Sequence, residues 1–342
     1  MFGFDIGIDL GTYKTIIYMP GKGVVLNEPS FVAYNKDDGK MLYAGQKAFD
    51  MIGREPMGIE VVQPIKAGVI SDFTISEQMI KAFMQKVIGN TIFKPNIVVS
   101  VPSITTEIAK RTIVGVMTSA GAKKVCMLEE PLAAAMGAGV DITKPRGNMV
   151  IDIGAETTGM AVVTMASMAL TETINTASSH FDEEIQKFVR KKWNMIIGLK
   201  TAEEIKKEIG CVVPRKDEVF ITAKGRDFIT GLPKSAELSS NDVLEALQEP
   251  LYTIRSAIKS MFERIPAEFA GDISQSGIIL TGGGSLIYGM PQLVEDITGV
   301  HAFHPVEPEA SVARGTGVAL KKFNFLREYG YEYKTKDDVR IG

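Results

Sequence analysis

The chain contains 342 residues, of which 45% are hydrophobic and 23% are charged. This composition is typical of soluble globular proteins, and the length favours two domains. A net charge of −3 gives no broad electrostatic reason to expect nucleic acid as a partner. The sequence shows no signal peptide and no apolar run of membrane-spanning length, and its two cysteines suit a reducing compartment. We therefore expect a cytoplasmic protein whose membrane contact, if any, is peripheral.

Residues 6–18 (IGIDLGTYKTIIY) predict a buried β-hairpin with a tight turn at Gly11-Thr12. Asp9 is unusual because it lies in the apolar strand before the turn, and a buried, unpaired carboxylate is costly. A Mg²⁺ ion held through waters, beside a phosphate bound by the N–H groups of the turn, would explain both Asp9 and Gly11. The alternative is an ordinary hairpin in which the aspartate initiates the turn.

The rest of the first half alternates between predicted strands and helices. The predicted segments are a strand-like stretch at 24–34 with a break at 27–29, a short helix at 46–52, a helix at 75–88, a strand at 97–101, a helix at 106–120, a strand at 125–128 and a helix at 132–136. Residues 35–64 are polar and rich in turns, which indicates a small insertion. Residues 141–148 form a polar linker to the second half.

A second copy of the first hairpin occurs at residues 150–163 (VIDIGAETTGMAVV). Its Asp152 corresponds to Asp9 and its Gly154 to Gly11, with apolar strands on both sides. Two such copies predict two similar halves that face each other, each with one phosphate hairpin and one carboxylate. A nucleotide between the two hairpins is the simplest arrangement.

The second half repeats the plan of the first, and strands followed by helices in both halves predict an α/β protein with mixed sheets. The predicted segments are a hairpin at 149–173, helices at 183–193 and 201–209 (the latter with a start like a capping box), strands at 219–221 and 227–232, a long helix at 241–262 capped by Ser240 or Asn241, a strand at 277–281, and helices at 290–298 and 311–325. The polar, aromatic-rich tail at 327–342 is predicted to be loose.

Three motifs, IDLGT (8–12), IDIGAETT (151–158) and LTGGGSL (280–286), stand in an order and spacing that resembles the actin-like ATPase superfamily. Within it, the chain resembles the MreB family of bacterial actins over nearly its whole length. Further matching stretches are GVVLNEPSFVA (23–33), GVISDF (68–73), LEEPLAAAMGAG (128–139), EEIKKEIG (203–210), LEALQEPL (244–251) and VARGTGVAL (312–320).

The resemblance implies an α/β, actin-like two-domain fold, in which two ribonuclease-H-like cores with small inserted subdomains surround a nucleotide cleft. The implied boundaries are 1–32 and 67–139 with 307–342 for the domain I core, 33–66 for its small subdomain, 140–179 and 241–306 for the domain II core, and 180–240 for its small subdomain. The two cores would be joined by crossings near 137–141 and 306–313.

The resemblance also implies the cofactors ATP and Mg²⁺. Asp9 and Asp152 would order the metal, mainly through water. The implied nucleotide-binding residues are Gly11, Thr12, Tyr13, Lys14, Gly154, Ala155, Glu156 and Thr157 around the phosphates, Gly282, Gly283 and Gly284 near the nucleoside and α-phosphate, and Glu203 and Lys206 beside the ribose and adenine. Glu203 and Lys206 lie one helical turn apart, so the alternative for them is an exposed ion pair.

Glu130 is the implied catalytic residue, because it precedes Asp152 at the separation that MreB-like chains show. A carboxylate at a helix start that faces the γ-phosphate would orient or deprotonate the attacking water, and Thr157 would hydrogen-bond the same water. The alternative is that Glu129 and Glu130 only complement the dipole of the helix that begins here.

The second hairpin departs from the family pattern, since Ala155-Glu156 stands where relatives usually carry a Gly-Gly pair. Alanine does not favour positive φ, so the turn is expected to differ. Glu156 brings negative charge near the phosphates unless it points away or pairs with a cation. Lys14 stands where relatives often carry a small polar residue. Its positive charge would compensate the negative charge of Glu156 across the cleft; the alternative is that the two are unrelated surface residues. These departures bear on turnover more than on nucleotide binding.

The full-length resemblance favours a filament-forming cytoskeletal ATPase with slow hydrolysis that polymerises with ATP and determines cell shape. Its implied partners are further copies of itself in protofilaments, an anionic membrane surface, and other cytoskeletal or membrane proteins. The alternative is a small-molecule kinase of the same superfamily, although no set of residues for a phosphoryl acceptor is evident. A chaperone-type ATPase is disfavoured because no peptide-binding domain follows. The three histidines form no pattern of metal ligands.

Ile92 and Phe93 are the predicted membrane anchor. They lie in the polar stretch 89–95 between a predicted helix and strand, and Pro95 argues against an extended strand there. In MreB-like proteins the corresponding loop carries an apolar pair that enters the bilayer, and Lys94 would meet anionic head groups. The alternative is that Ile92 and Phe93 pack under the neighbouring helix.

Overall fold

A computed structural model describes residues 5–89 and 93–339. The first half of the chain builds one large sheet, one small sheet and a two-stranded hairpin. Its strands are β1 (Ile6–Leu10), β2 (Lys14–Met19), β3 (Gly23–Pro29), β4 (Val32–Asn35), β5 (Met41–Ala44), β6 (Ile59–Val62), β7 (Ile65–Lys66), β8 (Val69–Ile70), β9 (Asn96–Val101) and β10 (Lys124–Glu129), and its helices are α1 (Gln46–Met51), α2 (Phe73–Ile88), α3 (Glu107–Ser119) and α4 (Glu130–Gly137).

The large sheet of this half has the strand order β10-β9-β1-β2-β3. The hairpin β1–β2 is antiparallel, as the sequence predicts, and β9 runs parallel to β1. Because side chains alternate between the two faces of a strand, Ile6, Ile8 and Leu10 enter one core with α2 and α3. The small sheet, with the order β5-β4-β6, carries α1 and forms the predicted insertion.

The second half repeats this architecture. Its strands are β11 (Asn148–Ile153), β12 (Thr158–Thr164), β13 (Ser167–Ile174), β14 (Met195–Ile196), β15 (Phe220–Asp227), β16 (Pro233–Ser239), β17 (Ile278–Thr281) and β18 (Ala302–Phe303), and its helices are α5 (Ser178–Trp193), α6 (Leu199–Ile209), α7 (Ser240–Ala246), α8 (Gln248–Glu263), α9 (Ala267–Ser276), α10 (Met290–Thr298), α11 (Ser311–Lys321) and α12 (Phe323–Glu328). The large sheet has the order β13-β12-β11-β17-β18. In it β11 pairs antiparallel with β12 and parallel with β17, so β11 occupies the position that β1 holds in the first half.

Helices α4 and α11 lie between the two large sheets and join the halves. Their buried side chains share one core with the inward-facing residues of both sheets, among them Val98 and Val150. The two helices cross in close contact: a Cβ on Gly315 would lie 1.7 Å from the carbonyl oxygen of Ala133, and a Cβ on Gly137 would lie 1.8 Å from that of Ser311. Only glycine permits this approach, and it fixes the base of the space between the halves.

The structure corrects several predicted elements of the second half. Residues 227–232 do not form a strand but the turn between β15 and β16. The predicted helix at 241–262 is two helices. Pro250 cannot donate a backbone hydrogen bond and would disrupt a helix interior, and it lies in the first turn of α8, where no such bond is needed. Ser239, not the predicted Ser240 or Asn241, caps the first of these helices. Helix α6 has no side-chain cap at its start, where a start like a capping box is predicted. Helix α9 is not predicted from the sequence.

The C-terminal region also differs from its prediction. The predicted helix at 311–325 breaks at Lys322 into α11 and α12. The tail is not loose over its described part: the Tyr331 hydroxyl donates to Glu129 at 2.7 Å, and residue 334 bridges to Val125 of β10.

In the first half, β3 continues through Pro29, so the predicted break at 27–29 is also wrong.

Candidate functional site

A cleft with a cavity of about 600 Å³ separates the two halves above α4 and α11. Its lining includes every residue that the sequence analysis assigns to catalysis, to the metal or to the nucleotide. These are Asp9, Gly11, Thr12, Tyr13, Lys14, Glu130, Asp152, Gly154, Ala155, Glu156, Thr157, Glu203, Lys206, Gly282, Gly283 and Gly284. The two hairpin turns contribute from opposite sides, as the repeated motif predicts. Of the predicted residues, Ile92 lies outside the described part of the chain and Phe93 is not among the cavity's lining residues.

Asp9 is held at the end of β1 by the neighbouring strand. The Ser100 hydroxyl in β9 donates to Asp9 Oδ1 at 2.8 Å and accepts from the Leu10 N–H at 3.2 Å. Burial raises the pKa of Asp9 to about 7, with a smaller contribution from the charge of Asp152, while the Ser100 hydrogen bond opposes the rise. The Ser100 hydrogen bond therefore orients the carboxyl group but only partly offsets the cost of burying its charge.

Asp152 has an equivalent arrangement in the second half, where the Thr281 hydroxyl in β17 donates to Asp152 Oδ1 at 2.7 Å. Burial raises the pKa of Asp152 despite this hydrogen bond. Ser100 and Thr281 were not predicted as site residues. A signal was available in the sequence, since each polar side chain lies within one residue of the end of a buried strand.

Glu130 begins α4 and faces the same space. Burial raises its pKa well above the ordinary value, and the charges of Asp152 and Asp9 raise it further. Asp152 is buried, and Asp9 and Glu130 are partly buried. Three such carboxyl groups destabilise one another's charged forms and therefore favour a cation between them. Within residues 5–89 and 93–339, no three His, Cys, Asp or Glu side chains are grouped to hold a metal ion directly. Mg²⁺ usually keeps several waters and takes one or two carboxylates together with phosphate oxygens, and Asp9 and Asp152 fit that role.

The turn of the second hairpin accommodates its unusual alanine. The Gly154 N–H donates to the carbonyl of Thr157 at 2.9 Å, and the carbonyl of Ala155 accepts from the Ser179 hydroxyl at 2.6 Å. Ala155 is not among the described residues that have positive φ, so its Cβ causes no backbone strain. Ser178 also binds this turn, through its hydroxyl to the carbonyl of Gly154 at 2.9 Å. Neither serine is predicted as a site residue, because the predicted helix begins at residue 183 whereas α5 begins at Ser178.

Glu156 points to the first half rather than to a lysine. Its carboxylate accepts the N–H of Ala67, in the turn between β7 and β8, and the next N–H in that turn, of Gly68, donates to the Thr12 hydroxyl at 2.9 Å. Lys14 is exposed and forms no ion pair with Glu156 or with any other carboxylate in the described ranges. The hypothesis of a Lys14–Glu156 pair is therefore wrong, and the turn at 67–68 bridges the two repeated hairpins instead.

The predicted ion-pair alternative for Glu203 and Lys206 is also wrong. Lys206 Nζ donates to Asp182 Oδ2 at 2.7 Å and to the carbonyl of Ser178 at 3.0 Å. Glu203 instead accepts from Lys207 at 2.6 Å and from the hydroxyl of Tyr13. Burial raises the pKa of Asp182 to about 6, and Lys206 opposes that rise. Both Glu203 and Lys206 face the cleft, and Asp182 is a further lining residue that the sequence does not predict.

The glycine triplet lies at the end of β17. Gly282 has φ of 80°, and a Cβ there would lie 2.3 Å from the carbonyl oxygen of Ile153; a Cβ on Gly284 would lie 2.6 Å from the Ile153 side chain. The loop therefore rests directly on β11 and presents its backbone to the cleft, as close approach to a ligand requires.

The predicted membrane segment lies apart from the cleft. The Phe93 side chain is 64% exposed, and Lys94 beside it is exposed. Of the helices in the described ranges, none has the length and apolar character needed to cross a bilayer.

Two α/β halves with the same strand order, joined by crossing helices and facing each other with repeated Asp-x-Gly hairpins, define an actin-like protein. The model of the MreB/Mbl protein family matches residues 3–328, and the chain belongs to this family. It is 41% identical over 327 residues to the cell shape-determining protein Mbl of Bacillus cereus, covering 95% of this chain and 98% of that protein. It is 40% identical to the cell shape-determining protein MreB of Escherichia coli, covering 94% of both.

Solved structures agree with this assignment. MreB5 of Spiroplasma citri bound to AMPPNP superposes with a TM-score of 0.89 at 34% identity, covering 95% of this chain and 98% of that one. The MamK double helical filament has a TM-score of 0.78 at 19% identity, covering 92% of this chain and 98% of that one, which is a likeness of fold.

Proposed function

We propose that this protein binds Mg-ATP in the cleft, hydrolyses it slowly and polymerises with it into filaments that determine cell shape. The observation that carries the proposal is the convergence of Asp9, Asp152 and Glu130 between two phosphate-binding turns. The MreB5 structures with AMPPNP and with ADP, proteins 34% identical to this chain, support the choice of ligand. The names of the Mbl and MreB relatives support a role in cell shape.

The phosphates would lie between the turns at 11–14 and 154–157. Backbone N–H groups in tight turns bind anions well, and Ser178 and Ser179 hold the second turn in place by their bonds to its carbonyls. Asp9 and Asp152 would hold Mg²⁺ through water, and the ion would neutralise charge on the β- and γ-phosphates. The triplet at 282–284 would face the nucleoside and α-phosphate, with Glu203 and Lys206 beside the ribose and base.

Glu130 would orient the attacking water and accept its proton, with Thr157 as a second hydrogen-bonding partner. A general base works best when its pKa lies near the working pH, and burial moves Glu130 in that direction. Both residues line the same cavity as the two phosphate turns. The position of Glu130 at the start of α4, whose other residues are buried, fixes the side chain at one place relative to the phosphates.

We further propose that the chain folds as two domains with the subdomain boundaries given above and that its copies associate head to tail. A heterologous contact that does not close gives an open polymer. The family membership supports self-association, and further cytoskeletal or membrane proteins would bind such a filament.

The filament would lie at the cytoplasmic face of the membrane, with Ile92 and Phe93 as the anchor. The exposure of Phe93 supports this role. Burying two such side chains contributes roughly 1.5–3 kcal/mol each, and Lys94 adds about 1 kcal/mol near an anionic surface. One subunit would bind weakly, but a filament repeats the anchor many times and so binds firmly.

The test of the site is calorimetric titration of ATP with and without Mg²⁺. Asp152→Ala is expected to abolish Mg²⁺-dependent binding, whereas the control variant Asp50→Ala, an exposed aspartate in α1, is expected to bind like the wild type. Unchanged Mg²⁺-dependent affinity in a folded Asp152→Ala protein would overturn the assignment.

A further inference from the structure

An aromatic cluster ties the first phosphate turn to the small sheet of the first half. The ring of Tyr13 in the turn lies 5.6 Å from that of Phe31 and 5.8 Å from that of Phe49, and Phe31 and Phe49 are 5.3 Å apart, all edge to face. Phe31 lies between β3 and β4, and Phe49 belongs to α1. Edge-to-face contacts are favoured for aromatic rings, so this cluster attaches Tyr13 to the small sheet of the first half.

Helix α6 of the second half reaches this cluster from across the cleft. Glu203 accepts the Tyr13 hydroxyl, and Lys200 Nζ lies 4.6 Å from the centre of the Phe49 ring. The two α6 residues are one helical turn apart and so lie on the same side of the helix. Lys207 binds the other oxygen of Glu203 at 2.6 Å, which holds the carboxylate in position to accept from Tyr13.

The chemistry of these contacts suits a bond that opens and closes. Burial and the Glu203 carboxylate raise the pKa of Tyr13, so the phenol remains a donor at any physiological pH. A hydrogen bond to a charged acceptor is stronger than one between neutral groups, and a cation over an aromatic ring adds attraction. Neither contact buries a continuous apolar interface, so both can be broken without unfolding either half.

We propose that Tyr13 and α6 form a latch that holds the two halves together at the nucleoside end of the cleft and sets the rate at which nucleotide leaves. The crossing of α4 and α11 joins the halves, Glu156 and Ala67 join the two hairpin turns, and the latch ties the small sheet of the first half to α6. Contacts of this kind, which can break while the helix crossing stays intact, suit a hinged closure. Tyr13 is a positioning residue that acts through Glu203. The effect on the rate of nucleotide dissociation rests on the proposed function. The closure of the two halves rests only on contacts between protein groups.

The first test is the dissociation rate of a fluorescent ATP analogue, measured by stopped flow. Tyr13→Phe keeps the ring cluster and removes the hydroxyl, and we expect about tenfold faster dissociation, the size expected for losing a hydrogen bond to a charged group. Tyr34→Phe is the matched control, because Tyr34 donates to Glu60 at 3.0 Å between two strands of one small sheet. It is expected to leave the rate unchanged. Equal dissociation rates for Tyr13→Phe and the wild type would overturn the proposal.

The second test measures closure without relying on nucleotide. Spin labels at Arg54→Cys and Glu208→Cys, both exposed, report the distance between the two small subdomains, and the native cysteines are buried. Tyr13→Phe is expected to lengthen and broaden the distance distribution, and Tyr34→Phe is expected to leave it as in the wild type. If the wild type binds no nucleotide, the proposed function fails and this measurement still decides the latch; an unchanged distribution in Tyr13→Phe refutes it.

Discussion

Replacing Asp9 by asparagine is expected to stabilise the protein without nucleotide while destroying its response to Mg-ATP. Burial raises the pKa of Asp9 from 3.8 to about 7, which corresponds to about 4 kcal/mol against the charged form. Asp9 is partly exposed to solvent, and water screens its charge, so the energetic cost is smaller than this value. We therefore expect the free energy of unfolding to rise by about 2 kcal/mol at pH 7.5, since asparagine keeps the size and can still accept from Ser100.

The pH dependence gives the sign of this effect. Between pH 4 and pH 7 the folded protein binds more protons at Asp9 than the unfolded chain does, so this group makes stability fall as pH rises. Asp9→Asn is expected to flatten that fall, but not to remove it, because Glu130 and Asp152 also have raised pKa values.

The assay is chemical denaturation at several pH values between 5 and 8, with and without Mg-ATP. Asp5→Asn, at the other end of β1, is the matched control, because its Oδ1 accepts a backbone N–H from Asn96 and asparagine can do the same. The reasoning is refuted if Asp9→Asn loses stability at pH 7.5 without nucleotide, or if Mg-ATP stabilises it as much as the wild type.

Three further outcomes are expected. Glu130→Ala should retain ATP but release phosphate roughly 10²–10⁴-fold more slowly; wild-type phosphate release would remove Glu130 from the mechanism. Gly315→Ala should destabilise the fold by more than 2 kcal/mol in denaturation, as overpacking at a rigid contact does, whereas Gly271→Ala in α9, where a Cβ meets no atom within 4 Å, should not; equal effects would contradict the close helix crossing. Ile92→Ser/Phe93→Ser should polymerise normally yet fail to sediment with anionic vesicles, and sedimentation like the wild type would show that the anchor lies elsewhere.

The repeated hairpins show what the sequence could predict. Asp9 and Asp152 stood out because each is a carboxylate in an apolar strand beside a glycine, and that local anomaly is visible without any tertiary information. The two facing halves and the residues that line the cleft then follow from the repetition and from the family resemblance.

The contacts across the cleft could not be predicted in the same way. From the sequence, Lys14 is a plausible partner for Glu156 and Lys206 for Glu203. The structure instead pairs Glu156 with Ala67 and Glu203 with Tyr13, and both contacts depend on how the two halves are oriented. The turn at 227–232 was misassigned for a related reason, since a short apolar stretch such as Phe228 and Ile229 gives the same signal in a strand and at an exposed turn.

Electron microscopy of the purified protein with Mg-ATP tests the central claim most directly, with Asp152→Ala and nucleotide-free samples in parallel. The account predicts filaments of the wild type with Mg-ATP, and no filaments from folded Asp152→Ala at the same concentration. Filaments of Asp152→Ala equal in number and length to those of the wild type, or no wild-type filaments at high protein concentration with Mg-ATP, would contradict it.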